Sequence, residues 1–461
     1  MSVRILVLGS AIALLPADGV AQRSSHATQF APGEQGSRNI RIQSHVPIGR
    51  AFTVSDLEIE QELSRPFAYV GRMHGTTHST GTTVLDLKDP TKPRTLLTWR
   101  IENPELHRGY GGMDNKYFKH RGRYYDVQSI QMAQGSPNYD LGAVIFDVTG
   151  LPDTTKFREV GRIRSPETPG GFHNIFAYRH SDGRPLLFTT VFAAQANIYD
   201  LSKAVGGDGQ GVLIGKVPVP EGASASRPGR GYHDFYVGYD PATKRDLFYG
   251  AGAGGFHVYD VSKPEDPKLV TSGTGISGVS GGHTFTPTPD GRYAILETEY
   301  QYAPLRIFDL KPGLDGQEQT IRRPVGAWTA RWQGLVHNHE VRWPYVFVSG
   351  YEDGLYVFNM MDPTNPYTVG YYDTYDGPHE RGWGGMDAPE NGTSVFQGAF
   401  GVDVRNADGL IVISDFTTGF WAFRMEGFDG WNGHQWGMPN VSSAQDWDNG
   451  PDGAPTPQRV S

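Results

Sequence analysis

Four histidines stand at the start of similar short segments that are rich in strand-forming residues. They are His173 in GGFHNIFAY, His233 in GYHDFYVGY, His283 in SGGHTFTPT and His339 in GLVHNHEVR. Because the chain has only 15 histidines, such a recurrence would rarely arise by chance. Neutral imidazoles from separate strands suit iron, copper, zinc or nickel. The pattern favours a hypothesis in which these side chains bind one Fe, Cu or Zn ion. His337 is a further candidate ligand, because residues two apart in a strand face the same side.

An acidic residue follows most of these segment starts. Aligned on the segments, the pairs of residues are Ser55-Asp56, Met113-Asp114, His173-Asn174, His233-Asp234, His283-Thr284, His339-Glu340 and Val402-Asp403. The acids in the second position are Asp56, Asp114, Asp234, Glu340 and Asp403. Neighbouring residues in a strand face opposite sides, so a histidine and the acid after it cannot act together on one atom. We interpret the acids as structural residues that accept backbone N–H bonds from a neighbouring turn.

Seven similar strands indicate that these segments belong to a repeated unit. The strands are TTVLDL, AVIFDV, ANIYDL, FHVYDV, LRIFDL, LYVFNM and FWAFRM. A second strand-like segment precedes each of them, a third follows most of them, and several continue into a proline turn such as MDPTNP. With the segment that carries the histidine or its equivalent, each unit has four short strands. The sequence therefore predicts an all-β fold, a seven-bladed β-propeller.

The last unit predicts how the ring closes. GVDV, LIVISDF and GFWAFRM supply three strands of this unit, and no clear fourth strand follows. Residues 40–49 (IRIQSHVPIG) have the alternation of a strand, so we expect this N-terminal strand to close the last blade. The predicted propeller spans residues 40–426, and a polar tail, 427–461, follows it. We expect the tryptophans of the tail to pack on the propeller: Trp431, Trp436 and Trp447.

Two repeats carry a family resemblance. GLYVFNMMDPTNPYTVG and GGFHVYDVSKPEDPKLV resemble the repeats of the LVIVD family of exported β-propellers, and VSDLEIEQELSRPFAYVGR resembles that family's first blade. The likeness covers about residues 40–425. It implies a propeller fold and export, whereas the family has no single shared activity that could be carried over.

The N-terminus and the composition also point to export. Residues 1–21 are predicted to be a secretory signal with Arg4 as its positive end, an apolar stretch at 5–16 and a cleavage site that ends at Ala21; residues 22–39 form a linker. We expect a periplasmic or extracellular protein without a transmembrane segment. The chain has no cysteine, which excludes disulfides, thiolate metal ligands and a cysteine nucleophile. The formal net charge of -9, without a basic stripe, argues against a nucleic-acid partner.

Further side chains are expected on the face that carries the histidines. In a propeller, the entrances to the innermost strands open on the same face as the loops between the second and third strands. The candidate ligand-binding residues there are Tyr232, Glu299, Tyr300, Trp332 and Glu352. Two other loops of this face carry His74 and His78, and a candidate lid with His379, Glu380, Arg381 and Trp383.

Two functions remain open at this point. The first is a binding or recognition module that holds a protein, a glycan or a small-molecule ligand on its histidine- and aromatic-rich face. The second is a metal-dependent oxidase or hydrolase with a multi-histidine site at the mouth of the central channel. The lack of an established catalytic motif favours the first, and the run of histidines in four consecutive units favours the second. The histidines also fit a hydrogen-bond network between blades, although their loss from three units argues against a duty needed all round the ring.

Overall fold

A computed structural model describes residues 35–48, 53–73, 81–103, 106, 111–131, 140–167, 171–206, 212–223, 230–331, 334–377, 396–433 and 445–450. The predicted signal, residues 1–21, lies outside these ranges. No helix within them is long and apolar enough to cross a membrane.

The described strands form seven four-stranded antiparallel sheets, the blades. The first strand of the chain, β1 (Ile40–Val46), is the outer strand of blade seven. Blade one contains β2 (Leu57–Ile59), β3 (Phe67–Arg72), β4 (Gly81–Asp86) and β5 (Arg94–Arg100). Blade two contains β6 (Gly111–His120), β7 (Arg123–Gln131), β8 (Leu141–Asp147) and β9 (Arg158–Arg164). Blade three contains β10 (Ile175–Arg179), β11 (Pro185–Thr190), β12 (Gln195–Asp200) and β13 (Leu213–Pro218). Blade four contains β14 (Tyr232–Asp240), β15 (Arg245–Gly252), β16 (Gly255–Asp260) and β17 (Lys268–Thr274).

The remaining blades follow the same order. Blade five contains β18 (Thr284–Pro287), β19 (Tyr293–Glu297), β20 (Leu305–Asp309) and β21 (Gly326–Trp328). Blade six contains β22 (Asn338–Arg342), β23 (Tyr345–Ser349), β24 (Leu355–Asn359) and β25 (Tyr367–Tyr372). Blade seven contains β26 (Ala399–Arg405), β27 (Leu410–Asp415) and β28 (Gly419–Met425) besides β1. Short helices occupy Thr154–Lys156, Leu201–Ala204 and Lys311–Leu314.

The blades form a closed ring. Each innermost strand contacts the innermost strand of the next blade, from β2 through β6, β10, β14, β18 and β22 to β26, and β26 contacts β2 again. The predicted seven-bladed β-propeller is therefore confirmed. Aromatic side chains fill the interfaces between blades; Phe188 of blade three stacks on Phe248 of blade four, with 5.9 Å between ring centroids. Tyr249 of blade four meets Phe285 of blade five edge to face at 5.6 Å.

Turn residues explain where the strands end. Arg121 and Gly122, with φ of 49° and 70°, join β6 to β7 in a two-residue turn of the kind that matches the twist of paired strands. In the proline turns, the carboxylate of Asp362 accepts the backbone N–H of Thr364 at 3.0 Å, which replaces a backbone turn bond. The repeated Asp-Pro-Thr motif thus redirects the chain after the third strand of a blade.

The N-terminal strand closes blade seven, as predicted. β1 pairs antiparallel with β28, from Ile40 opposite Met425 to Val46 opposite Phe420. The imidazole of His45 stacks on the indole of Trp421 with 3.9 Å between ring centroids. These contacts hold both ends of the propeller in one sheet. The strand ends at Val46, three residues before the predicted end.

The described part of the C-terminal tail packs across the face of the ring that lies opposite the histidines. We call this the exit face, and the face that carries the histidines the entrance face. Gln445 is bonded to β10, donating to the carbonyl of Ala177 at 2.7 Å and accepting the N–H of Arg179 at 2.8 Å. Buried Trp447 packs near Phe118, 6.2 Å between ring centroids. Trp431 donates from its indole to the carbonyl of Trp343 at 3.1 Å. Two tail tryptophans therefore pack on the propeller as predicted, and Trp436 lies outside the described residues.

Candidate functional site

The hydrogen-bond register identifies which histidines are equivalent. The backbone N–H of His283 donates to Glu297 O at 2.8 Å, and that of His337 donates to Ser349 O at 2.9 Å. The next residues, Thr284 and Asn338, pair with those same partners, Glu297 and Ser349. His337 therefore occupies in blade six the position that His283 occupies in blade five, and His339 lies two residues further along.

In blade seven, as in blade six, the hydrogen-bond register differs by two residues from the alignment of the sequence segments. The N–H of Asn338 donates to Ser349 Oγ, and the N–H of Gly401 donates to Ser414 Oγ in the same way. The residue before Gly401 is Phe400, so Phe400 takes the position that the sequence alignment gave to Val402. A shift of two keeps the side of the strand but moves the side chain one layer deeper, which is why alternation alone does not reveal it.

Four imidazoles from consecutive blades lie in a row at the entrance face. The ring centroids are 4.5 Å apart for His173 and His233, 4.1 Å for His233 and His283, and 4.9 Å for His283 and His337. All four side chains are buried. His337 ends the row and stacks on Phe400 with 3.5 Å between ring centroids. The row contains His173, His233 and His283 of the predicted set, and in blade six the ring beside His283 is that of His337 rather than that of His339.

Neighbouring polar groups fix the orientation of several rings. His173 Nδ1 is hydrogen-bonded to Gln131 Oε1. His337 Nδ1 is 2.8 Å from the carbonyl of Phe400; because a carbonyl only accepts, this nitrogen carries the proton. Burial lowers the pKa of His337 well below its ordinary value, with the charge on His283 acting in the same direction. His337 is therefore a neutral imidazole whose Nε2 keeps its lone pair.

His283 lies between two buried glutamates. Its Nδ1 is 2.5 Å from Glu297 Oε2, and its Nε2 is 3.6 Å from Glu299 Oε2. Burial by itself would lower the pKa of His283, but the carboxylates of Glu299 and Glu297 outweigh it and raise the pKa to about 9. Burial raises the pKa of Glu297 to about 7, although His283 opposes this. His283 thus occupies the most strongly negative position of the row.

Glu297 is the last residue of β19 and Glu299 lies in the loop after it, and other groups hold that loop in an unusual shape. Glu297 accepts the backbone N–H of Glu299, and Tyr351 donates its hydroxyl to Glu299 Oε1 at 2.7 Å. Glu299 and Tyr351 have positive φ angles, 52° and 44°, which residues other than glycine seldom adopt. Such strain persists where the surrounding contacts impose it, and it is common at functional sites.

Within the described ranges, one group of side chains could hold a metal ion: His233, His283 and Glu299. Each offers one ligand atom, and these atoms all lie within 4.8 Å of one another. His173 and His337 flank this group at the ring distances given above. Ligation by the four predicted histidines is not tested by this arrangement and stays a prediction.

His339 differs from the four imidazoles of the row. Its side chain is fully buried, and neither ring nitrogen has a hydrogen-bond partner among the residues that the structure describes. Burial lowers the pKa of His339 to about 3, with the charge of His283 contributing, so the ring is neutral. A hydroxyl of blade four reaches its backbone, since Tyr236 donates to His339 O at 2.9 Å.

A cavity of about 240 Å³ opens between blades four and five beside the row of histidines. Its walls include His233, His283, Thr298 and Tyr300, together with several glycines that leave backbone exposed. Predicted ligand-binding residue Tyr232 also lines the cavity, while its hydroxyl donates to the carbonyl of Pro218 at 2.8 Å. Tyr300 and Tyr232 therefore lie where the sequence placed them, on the histidine face.

The other predicted ligand-binding residues are arranged differently. Glu299 belongs to the group around His283. Glu352 is buried and accepts from Arg331 Nη2 at 3.0 Å. Asp353 lies 2.7 Å from Arg331 Nε, so both acids form internal ion pairs with Arg331. Several residues lie outside the described part of the chain: Trp332, His74, His78, His379, Glu380, Arg381 and Trp383.

Four of the repeat acids accept backbone N–H bonds, from donors that lie in strands rather than in the expected neighbouring turn. Asp114 of blade two accepts the N–H of Ile175 in blade three at 3.1 Å, and Asp403 of blade seven accepts the N–H of Ile59 in blade one at 2.9 Å. Asp56 accepts the N–H of Leu57 at 2.8 Å, and Asp234 accepts that of Phe235 at 2.7 Å. Glu340 accepts from Arg342 Nη1 at 2.6 Å. The acids thus tie the innermost strands together.

These acids surround a small space on the axis of the ring. It measures about 30 Å³, the room of about one water molecule, and Gln445 of the tail is part of its wall. Asp56, Asp114, Asp234, Glu340 and Asp403 all line it, and Lys116 lies 2.6 Å from Asp114. Burial, reinforced by the nearby charge of Asp114, raises the pKa of Asp56 to about 8. The axis is therefore packed with polar side chains below the entrance face.

Sequence reasoning did not single out Glu297, Thr298 and Gln131. Glu297 lies in LETEY (residues 296–300), two residues before the predicted Glu299, and could have been found as the residue that pairs with the entrance of the same blade. Neither the residue type nor the spacing of Thr298 and Gln131 marks them as site residues in the sequence, because each acts through a contact with another blade or with the cavity.

Comparisons with known proteins agree with the fold and assign no family. No protein-family model matches the sequence, and no curated protein matches it either. Among 1199 matching chains of solved structures is Raptor from Chaetomium thermophilum, with a TM-score of 0.55 and 10% sequence identity. The similarity covers 85% of this chain and 30% of the Raptor chain. At this identity it shows the propeller fold alone. Membership of the LVIVD family stays a prediction.

Proposed function

We propose that this protein is an exported β-propeller of the LVIVD-repeat type that binds a small-molecule ligand in the cavity between blades four and five. The cavity of about 240 Å³ carries the proposal. A protein cavity of about 150 Å³ can hold benzene, so this one has room for a somewhat larger molecule. A glycan chain or a protein partner would need a broader surface, which makes a small molecule the best fit.

The walls of the cavity supply the mixture that small-ligand sites use. Tyr232 and Tyr300 provide aromatic surface, while His233, His283 and Thr298 provide convergent polar atoms. Thr298 Oγ1 is buried and has no hydrogen-bond partner in the ranges that the structure describes. A buried hydroxyl without a partner costs free energy, and a polar group of a ligand would relieve this cost.

The rest of the fold supports access from one side. The entrance face carries the cavity, whereas Gln445 and Trp447 pack across the exit face. The axial space between them has room for about one water molecule, so a ligand has no path along the channel. Seven blades in a closed ring also hold the cavity walls rigidly, which lowers the entropy that binding must overcome.

Soaking crystals of the full chain with a fragment library tests the proposal. We expect bound fragments to gather in this cavity and to place a polar atom within hydrogen-bond distance of Thr298 Oγ1. The matched variant Thr298→Val keeps the shape of the side chain and removes the hydroxyl. It should weaken the best fragment about tenfold, the loss of one hydrogen bond to a buried group, while leaving the melting temperature unchanged or higher. Fragments that bind elsewhere and leave this cavity unfilled would contradict the proposal.

A further inference from the structure

We propose that His233, His283 and Glu299 bind one divalent transition-metal ion at the inner wall of the cavity. Ligand atoms from the three side chains lie within 4.8 Å of one another. In a tetrahedral site with bonds of about 2.1 Å, neighbouring ligand atoms are about 3.4 Å apart. His283 Nε2 and Glu299 Oε2, at 3.6 Å, already have nearly this separation. The site goes beyond the proposed ligand binding and does not depend on it, because the ion needs only these side chains.

The orientation of His283 provides an independent reason. Its Nδ1 faces Glu297, and because a carboxylate only accepts, that nitrogen carries a proton. Nε2 is then the free end of the ring; it is buried and has no hydrogen-bond partner in the described part of the chain. It faces the carboxylate of Glu299 at 3.6 Å, so an ion bound to Nε2 would also be within reach of Glu299 Oε2.

The distance between these atoms also fits two ligands of one ion. A charge-assisted N–H···O bond would bring Nε2 and the carboxylate oxygen to about 2.8 Å. The observed 3.6 Å is too long for that bond but close to the separation of two ligands on one ion. The separation of His283 Nε2 and Glu299 Oε2 is therefore suitable for two ligands of one metal ion.

The surrounding groups resemble those that orient metal ligands in proteins. Glu297 accepts from His283 Nδ1 and from the backbone N–H of Glu299, so one carboxylate positions two ligands. Tyr351 donates to Glu299 Oε1 at 2.7 Å, and Oε2 is the oxygen that lies toward His283 Nε2. The positive φ angles of Glu299 and Tyr351 hold this arrangement against the ordinary preferences of the backbone. Glu297 and Tyr351 are thus positioning residues.

The donor set selects the ion. Two imidazoles and one carboxylate with open positions are typical of catalytic zinc and of non-haem iron(II). Magnesium and calcium prefer oxygen ligands throughout and fit poorly. Since His233 and His283 also line the cavity, the open positions of the ion would face the space proposed for the small molecule. A bound ion would supply the metal that the alternative function, a metal-dependent oxidase or hydrolase, requires.

Titration of the full chain tests the site directly. Tag-free protein is treated with a chelator, dialysed and titrated calorimetrically with zinc chloride, and separately with iron(II) under argon. We expect one ion per chain. Glu299→Gln keeps the volume and the bond from Tyr351 but should weaken zinc binding at least tenfold, and His283→Ala should abolish it. Glu297→Gln should weaken zinc binding about 10–100-fold, as is usual for a group that orients a ligand.

Two controls keep the result decisive. His257 is a buried histidine of blade four, the blade of His233, and its nitrogens are bonded to Ser272 Oγ and Ala253 O, so His257→Ala should bind zinc like the wild type. Circular dichroism melts show whether each variant is folded. The proposal is overturned if the wild type binds neither ion stoichiometrically, or if folded Glu299→Gln and His283→Ala bind zinc as the wild type does. Loss of binding in His339→Ala with full binding in Glu299→Gln would replace this set by the sequence-predicted one.

The same protein samples separate this site from the proposed ligand binding. Fragments that enter the cavity of chelator-treated protein would support ligand binding even if no ion binds. Stoichiometric zinc with an unfilled cavity would support the metal site and contradict the small-molecule proposal.

Discussion

At the scale of single residues, several buried carboxyl groups lie close together on the axis of the ring. Asp56 is nearly inaccessible and lines the same small space as Asp114 and Asp234. Removing a carboxylate from water disfavours its charged form, and the charges of neighbouring acids add to the effect. These causes raise the pKa of Asp56 to about 8, against the ordinary value of 3.8. Folded protein therefore keeps a proton on Asp56 at pH values where the unfolded chain has lost it.

Asp56→Asn should change how stability depends on pH. Between pH 4 and pH 8 the folded state binds one proton more than the unfolded state at this residue, so its contribution to stability falls as the pH rises. The slope is at most about 1.4 kcal/mol per pH unit. The amide of asparagine mimics the protonated acid and removes this slope. Urea unfolding of both proteins at several pH values measures it, and parallel pH dependences would contradict the assigned ionisation.

The residue scale also shows what the sequence could not reveal about the site. The recurrence of histidine identified His173, His233 and His283, because residue type and segment start were enough. His337 and His339 could not be told apart, since both face the same side and only the bonds to Ser349 define the layer. The carboxylate of Glu299 depends on a positive φ in the loop after β19, which no residue type in LETEY (residues 296–300) indicates.

At the scale of elements, the repeats were the informative part of the sequence. Each blade buries its faces against its neighbours, so one apolar pattern recurs seven times and predicts the number of blades. Strand β1 was predictable for a complementary reason, because three strands at the C-terminus lack a fourth. Turn chemistry was equally readable in the Asp-Pro-Thr motifs. The depth of each inner strand relative to its neighbour could not be predicted from the sequence, because pairing registers depend on bulges such as the one between Ala399 and Gly401.

A cysteine pair should report the closure of blade seven. Ser44 of β1 lies opposite Ala422 of β28, and the natural chain has no cysteine that could interfere. Oxidised Ser44→Cys/Ala422→Cys should form one disulfide and gain about 2–4 kcal/mol over its reduced form, because the bond would close a loop around the whole ring. Denaturant unfolding of the same variant with and without a reductant gives the comparison. Failure to form the bond in the folded protein would contradict the β1–β28 register.

At the scale of the whole molecule, the two faces of the ring differ. The entrance face carries the row of histidines and the cavity, and the exit face carries the tail with Gln445 and Trp447. Stability comes from packing between blades, since the chain has no disulfides. Such a protein can fold in an oxidising or a reducing compartment, which is compatible with the export proposed from residues 1–21.

Export predicts a defined mature protein. When the full sequence is expressed in a bacterial host, the intact mass of the exported protein should correspond to a chain that begins at Gln22, after cleavage behind Ala21. Ala21→Phe should block cleavage, because the processing enzyme requires a small residue there. Tyr367→Phe, a conservative change at an exposed propeller residue, serves as the control and should be processed normally. Unprocessed protein confined to the cytosol would contradict export.

The pairing of β1 with β28 also determines the order of events during folding. β1 emerges from the ribosome first, yet its partner strand is made only after nearly the whole ring. Until then its backbone groups have no ladder partner, and contacts so distant in sequence form slowly. An unclosed ring displays the open edge of β28, which can capture β1 of another chain and produce swapped dimers. A swapped dimer would keep the ion pair between the exposed Arg41 of β1 and Glu426, which are 3.6 Å apart in the closed ring, so this pair does not discriminate against swapping.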